Sequence, residues 1–259
     1  IQKYKNNRPY IMHEKICLKS ISEKLKNLNL IDRLLAIREL VEGKIVFTSS
    51  LGLEDQAITH SIFSQNLKID IVSLDTGFLF NETHKVWNDT EIKYKKRIKP
   101  FFPHKKEVEK LVASQGKYGF YESIENRKKC CAVRKLSSLD RCLKGSKVWI
   151  TGIRANQTKG RSKMAFIEKD EVRGLLKVNP LFDWSTKKLQ EYLNIHQVPT
   201  NILHAKGYTS IGCEPCTRAI KPGEDERAGR WWWENELGES DQECGLHFSP
   251  ENKIIKSKA

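Results

Sequence analysis

Three short apolar runs punctuate the first 150 residues: Ile45-Val46-Phe47, Ile69-Asp70-Ile71-Val72-Ser73-Leu74 and Val148-Trp149-Ile150. Runs of this length, bounded by Gly, Ser, Thr and Asp, predict buried strands over 44–48, 69–74 and 147–152. Between them apolar positions recur at helical spacing. Leu25, Leu28, Ile31, Leu34, Leu35 and Leu40 predict one amphipathic helix over 21–42, with Gly43 just past its end. Further helices are expected over 53–66, 81–97, 105–114 and 128–144, with Pro100-Phe101-Phe102-Pro103 as a break. Strands alternating with helices predict an α/β fold, a Rossmann-like parallel sheet with flanking helices. Residues 1–20 carry little periodicity and read as an N-terminal arm. After residue 170 the pattern changes: Ser185 should cap a helix to about Ile195, 207–233 reads as loop, and 234–259 as a tail. The expected organisation is thus an arm, one domain over 21–233, and the tail.

All three predicted strands end in polar or glycine-bearing turns: Ser49-Ser50-Leu51-Gly52, Asp75-Thr76-Gly77 and Thr151-Gly152. Ligands of open α/β sheets bind outside the carboxyl ends of the strands, where helix N-termini favour anions. The first turn lacks the Gly-Lys-Ser/Thr of a Walker A loop. Taken together, the three exits predict a nucleotide site.

Charge adds an anionic ligand to this picture. The chain of 259 residues carries 46 Lys and Arg against 32 Asp and Glu, a net charge of +14. Much of the lysine is scattered and no aromatic RNA-binding box is present, so nucleic acid is not the expected partner. Arg134, Lys135, Arg154, Arg161, Arg218, Arg227 and Arg230 lie beside the strand exits or beside cysteines, where guanidinium forks suit phosphate or sulfate. No apolar stretch approaches a membrane span, and Ile1-Gln2-Lys3-Tyr4-Lys5 lacks the apolar run of a secretory leader. A cytoplasmic protein is expected.

Seven cysteines outside a secretory context point to metal or catalytic thiols. Cys213-Glu214-Pro215-Cys216 puts two thiols on one turn; Cys130 and Cys131 are adjacent. Neighbouring cysteines are awkward ligands for one zinc ion but can reach different corners of a [4Fe-4S] cluster. The cluster is the favoured reading, with zinc or inert buried thiols as alternatives. Cys244, in Glu243-Cys244-Gly245-Leu246-His247, is left over, either a nucleophile or a surface thiol.

These stretches together resemble the assimilatory adenylyl-sulfate/phosphoadenylyl-sulfate reductase family. The matching residues are Ser49 to Asp55, Leu74-Asp75-Thr76-Gly77 with Glu82-Thr83, Cys130-Cys131-Ala132-Val133-Arg134-Lys135, Trp149-Ile150-Thr151-Gly152-Ile153-Arg154, Gly212 to Arg218, Glu226 to Trp233 and Glu243 to His247. The resemblance implies a PP-loop fold (adenine nucleotide alpha hydrolase-like) and one [4Fe-4S] cluster per subunit on Cys130, Cys131, Cys213 and Cys216. It further implies thioredoxin-dependent (or glutaredoxin-dependent) reduction of adenosine 5′-phosphosulfate to sulfite and AMP, in assimilatory sulfate reduction for cysteine biosynthesis. Cys244 would be the nucleophile. Ser49, Ser50, Gly52, Leu74, Asp75, Thr76, Arg134, Lys135, Gly152, Arg154, Arg161, Arg227, Arg230 and His247 would bind substrate. The chain looks like the bacterial, stand-alone type, and a homo-oligomer is compatible with it. A 3′-phosphorylated or dual substrate is the nearest alternative, and an iron–sulfur PP-loop tRNA thiolase the alternative of another class. Three positions depart from the family pattern: Phe78 where Arg is frequent, Asn81 where Pro is common, and Ser138 where Pro is usual.

Overall fold

The computed structural model describes residues 11–157 and 161–237. Six strands form one sheet in the order β3-β2-β1-β4-β6-β5. The strands are β1 (Lys44–Ser49), β2 (Asp70–Leu74), β3 (Lys99–Phe101), β4 (Ser146–Ile150), β5 (Ile167–Asp170) and β6 (Leu175–Val178). All neighbours pair in parallel except β5, which runs antiparallel to β6 at the edge. β1 and β4 are fully covered: Ile45, Val46, Phe47, Val148, Trp149 and Ile150 are buried, as expected for strands sandwiched between helices. The α/β architecture expected from the sequence is therefore present.

Three strands escaped the pattern for physical reasons. β3 contains Pro100, which forfeits a ladder donor and is tolerated because β3 is an edge strand. β5 and β6 are four residues each. They close through Asp170, whose side chain accepts from the Arg173 amide (3.0 Å), and Gly174 at φ +66°. Neither segment is long enough to announce itself by periodicity.

The helices are α1 (Ile11–Lys26), α2 (Leu30–Leu40), α3 (Leu53–Ser64), α4 (Asn81–Tyr94), α5 (Lys105–Gln115), α6 (Ile124–Cys131), α7 (Ser137–Leu143) and α8 (Thr186–Ile195). The single helix expected over 21–42 is thus two, and residues 11–19, expected as part of an arm, are helical. Asn29 causes the break. Its side chain accepts from the Asp32 amide (3.0 Å) as the N-cap of α2. Arg33, 1% exposed, then gathers the end of α1: it donates to the carbonyls of Leu25 (3.0 Å), Lys26 (2.5 Å) and Leu28 (3.0 Å). The same guanidinium grips Asp183 through two bonds (2.6 and 2.7 Å), so one residue staples the α1–α2 corner to the segment after β6.

On the face away from the strand exits, α3, α4 and α8 meet at His60. Its Nδ1 is 2.8 Å from the Tyr94 hydroxyl and its ring stacks on His196 at 4.5 Å. Burial pushes the His60 pKa down to about 4, with His196 and Lys93 adding to the effect. The folded state therefore holds neutral imidazole. Stability from this site is present above the unfolded value of 6.5 and lost as pH falls towards 4. We expect His60→Gln to flatten the fall of the thermal midpoint between those two pH values; an unchanged slope would refute the assignment.

Candidate active site

The chain runs from β1 through β2 to the β3 edge and then returns to β4 on the other side of β1. That reversal leaves a crevice at the carboxyl ends of the strands. A cavity of about 300 Å³ occupies it, lined by Ser49, Ser50 and Gly52 from the β1 exit, Leu74 and Thr76 from β2, and Gly152 after β4. The β1 turn is tightly wound. Leu51 sits at φ +62° without being glycine and is buried. Its amide bonds the Ser49 hydroxyl (3.1 Å), and the Ser50 amide and hydroxyl both donate to Oδ2 of Asp55 (2.6 and 2.7 Å). Gly52 N-caps α3 without a side chain, leaving the first-turn amides of α3 to an anion or to water. Burial pushes the Asp55 carboxyl up to about 6, against the Ser50 bonds that lower it.

Basic residues converge on the same cavity. Lys135, Arg154, Arg161, Arg227 and Arg230 all line it. Their roles differ. Arg154 is committed to the protein: it pairs with Glu54 (2.8 Å) and reaches Thr186 (3.2 Å) at the start of α8. It braces the wall more than it offers a free charge. Arg161 is held by Gln157, which also donates to Glu54 (3.0 Å). Arg227 and Arg230 both approach the Ser210 hydroxyl (3.2 and 3.4 Å), and Arg230 lies over the Trp231 ring at 4.6 Å. Two expected substrate residues do not line the cavity. Asp75 caps its own turn by accepting from the Gly77 amide (2.9 Å). Arg134 turns to the cysteines. Arg218, expected beside them, instead forms a two-bond pair with Glu224 (2.8 and 2.9 Å).

Cys130, Cys131, Cys213 and Cys216 come together as the walls of a second, smaller pocket that adjoins the first. Instead of one helix over 128–144, α6 ends at Cys131, a π-helical turn follows over Ala132–Leu136, and α7 continues. The cysteines therefore sit in the last turn of α6, not the first turn of a longer helix. The π turn carries Arg134 and Lys135; such bulges recur at functional sites. Across the pocket, the Cys213 loop docks on the β2 exit. The Glu214 amide donates to the Phe78 carbonyl (2.7 Å), and the Thr76 hydroxyl is 3.2 Å from Cys213 Sγ. Phe78, one of the departures from the family pattern, supplies a ring beneath the Arg134 guanidinium at 4.2 Å. Asn81 opens α4, where a proline would also fit, and Ser138 is buried in α7.

The four thiols are all buried. Burial, with neighbouring thiols adding, pushes the Cys130 and Cys216 pKa values above the ordinary cysteine range, so an electron-poor centre is needed to hold them as thiolates. Among the described residues no three His, Cys, Asp or Glu side chains close on a single ion position. Four cysteine sulfurs lining one pocket, two of them from adjacent residues, are a donor set that fits a polynuclear centre, one thiolate per metal atom. Lys135 and Cys213 line both pockets.

Comparison with known proteins agrees with this geometry. The family model for the phosphoadenosine phosphosulfate reductase domain matches residues 44–219. The chain belongs to that family. A protein of Sinorhizobium fredii (strain USDA 257) named adenosine 5′-phosphosulfate reductase is 50% identical over 231 residues, covering 89% of this chain and 90% of the relative. Relatives of the same name from Rhizobium meliloti (strain 1021) and Allochromatium vinosum are 51% and 47% identical, over 87% and 82% of this chain and 84% and 82% of their own lengths. The crystal structure of phosphoadenylyl-sulfate (PAPS) reductase from Candida auris in a phosphate complex superposes with a TM-score of 0.66, covering 78% of this chain and 95% of that one; at 23% identity it supports the fold alone. The expected Cys244 and His247 lie outside the described residues.

Sequence reasoning missed the residues that hold the site in place. Arg127 of α6, 1% exposed, pairs with buried Glu234 through two bonds (2.7 and 2.9 Å) and lies over Trp231 at 4.7 Å. In the sequence Glu234 is only the residue after three tryptophans. Removing one partner of a buried pair strands the other charge and costs about 3–5 kcal/mol. Arg127→Met should lower stability by about that amount, and adding Glu234→Gln should recover part of it. Denaturant titration of both variants provides the check.

Proposed function

We propose that the chain is an adenylyl-sulfate reductase. It reduces adenosine 5′-phosphosulfate to sulfite and AMP in sulfate assimilation, with a dithiol protein such as thioredoxin or glutaredoxin as reductant. The observation that carries this is the shared wall: a strand-exit cavity rimmed by Lys135, Arg161, Arg227 and Arg230 abuts a pocket walled by four cysteines, and Lys135 and Cys213 belong to both. The relatives' names supply the substrate, and the cavity's volume and charge suit a nucleotide anion.

In this reading the turn at Ser49–Gly52, Leu74, Thr76 and Gly152 hold the nucleoside. Arg227 and Arg230, steadied by Ser210, and Arg161, steadied by Gln157, face the phosphosulfate. They stabilise negative charge as it builds on the departing phosphate. The Cys244 thiolate attacks the sulfate sulfur, the bond from that sulfur to the bridging oxygen breaks, and AMP leaves with the electron pair. The product is an S-sulfocysteine, a covalent intermediate that divides the reaction in two. A thiolate of the reductant then attacks Cys244 Sγ; sulfite leaves, and the second reductant thiol closes a disulfide that regenerates the Cys244 thiolate. His247 is placed by the resemblance near the substrate. Cys130, Cys131, Cys213 and Cys216 would hold a [4Fe-4S] cluster; its iron would keep the four buried sulfurs as thiolates, and Lys135, which lines both pockets, would lie between that anionic centre and the substrate. Arg134, stacked on Phe78, lines the same pocket and would lie beside that centre. A cytoplasmic location fits this chemistry; among the described residues no helix is long and apolar enough to cross a membrane.

Anaerobically purified protein with thioredoxin should release sulfite from adenylyl sulfate faster than from its 3′-phosphorylated form. Cys244→Ser should abolish both sulfite release and S-sulfonation while leaving the protein brown. Full turnover in that variant would sink the scheme. The metal assignment has its own check: the purified protein should contain iron and labile sulfide in equal amounts, and Cys130→Ala or Cys216→Ala should lose both. Zinc without sulfide would refute it.

A further inference from the structure

Asp55 is anionic chemistry in a cavity built for an anion, and the mechanism above leaves it without a role. It is only 7% exposed and lines the cavity between the exits of β1 and β4. Its Oδ2 accepts both the amide and the hydroxyl of Ser50 (2.6 and 2.7 Å). Its Oδ1 lies where any side chain at Gly152 would have to go: a Cβ on Gly152 would fall 2.2 Å from it. One carboxylate thus governs both lips of the crevice.

Two consequences follow from donor and acceptor counting. Because the Ser50 hydroxyl spends its only proton on Asp55, its remaining capacity towards the cavity is to accept. Ser50 is exposed, so this acceptor is available to a ligand. An acceptor backed by a carboxylate repels phosphate or sulfate oxygens and suits the amine or hydroxyls of a nucleoside. Meanwhile the bond to the Ser50 amide holds the turn whose next residue, Leu51, stands in the left-handed region.

We propose that Asp55 is a positioning residue for the nucleoside: it locks the Ser49–Gly52 turn, directs the lone pairs of Ser50 into the cavity, and demands glycine at 152. This rests on the cavity being the adenylyl-sulfate site. The groups facing Asp55 are Glu54 on its own helix and Arg161 from the β4 exit loop, with Arg154 neutralising Glu54 and Lys135 across the cavity.

The test is the steady-state kinetics of sulfite release from adenylyl sulfate between pH 5 and 8. The substrate's phosphosulfate does not titrate there, whereas Asp55, raised to about 6, does. Asp55→Ala should raise KM about tenfold with a change in kcat under threefold. Asp55→Asn keeps a neutral acceptor for Ser50. Since charge-assisted bonds are roughly twice as strong as neutral ones, its KM at pH 8 should match the several-fold higher KM of the wild type at pH 5, and should not vary with pH. The unpaired cost of burying an ionised Asp55 is present above about pH 6 and absent below 3.8, so Asp55→Asn should also melt higher than wild type at pH 8. A carboxylate kept for structure alone would melt lower when replaced and leave KM alone. If Asp55→Ala fails to fold, Ser50→Ala carries the test, with KM raised threefold or more. A KM within twofold of wild type in the folded variants, or an Asp55→Asn pH profile superposable on the wild type's, overturns the inference. Wild-type protein that releases no sulfite at all overturns the functional reading, and this inference with it.

Discussion

The buried pair between Arg127 and Glu234 is the contact on which the two halves of the site depend. It joins α6, whose last turn bears Cys130 and Cys131, to the segment that bears Arg227 and Arg230. Trp231 fills the space between, with the Arg127 and Arg230 guanidiniums both against its ring. Its amide donates to the Cys216 carbonyl (3.1 Å), and Arg230 is bridged to Thr217. The thiol pocket and the basic rim of the cavity are therefore one packed unit. A charge pair hidden from water is a weak source of net stability but an exacting source of geometry. Here the geometry it enforces is the placing of guanidiniums beside the buried cysteine sulfurs.

The sheet contributes the other constraint. Parallel strands buried on both faces leave polar residues to the strand ends, and at the reversal between β1 and β4 two carboxyl-end exits diverge. The β1 turn spends its amides inward, on Ser49 and Asp55, so the arriving ligand meets helix α3's first turn and the Ser50 hydroxyl. The β4 exit is kept bare by glycine. Basic residues reach the cavity from three segments: Lys135 from the π turn before β4, Arg161 from the β4 exit, and Arg227 and Arg230 from the segment after the sheet. On the proposed reading, a nucleoside end and an anion end would thereby be separated within one crevice.

How much of this the sequence discloses depends on the range of the interaction involved. The buried central strands, the capped α8 and the polar exits are local patterns, and they are legible. So is the grouping of the four cysteines, because thiols are few and their spacings distinctive. The α1–α2 break is masked because the apolar spacing runs on through its local cap, Asn29, and the staple that fixes the corner is hidden altogether, since Arg33 must find a carboxylate 150 residues away. The division of labour among the arginines is equally hidden: Arg154, Arg161, Arg218 and Arg230 look alike in sequence, and only their partners, Glu54, Gln157, Glu224 and Trp231, tell carboxylate-bound braces from the rest. Asp75 and Arg134 resemble ligand residues by position, yet one closes its own turn and the other serves the thiol pocket.

The π-helical turn after Cys131 fixes a phase relation. An α-helix advances about 100° per residue, so the extra residue accommodated in that turn sets the angle at which Arg134 and Lys135 leave the helix relative to Cys130 and Cys131. Deleting one residue between Ala132 and Leu136 would give a more regular helix and would swing either the basic pair or the whole of α7 by roughly that angle. The irregularity thus acts as a rotational spacer. It lets one short stretch of chain address two neighbouring chambers at once, with sulfurs turned into one and an ammonium into the other.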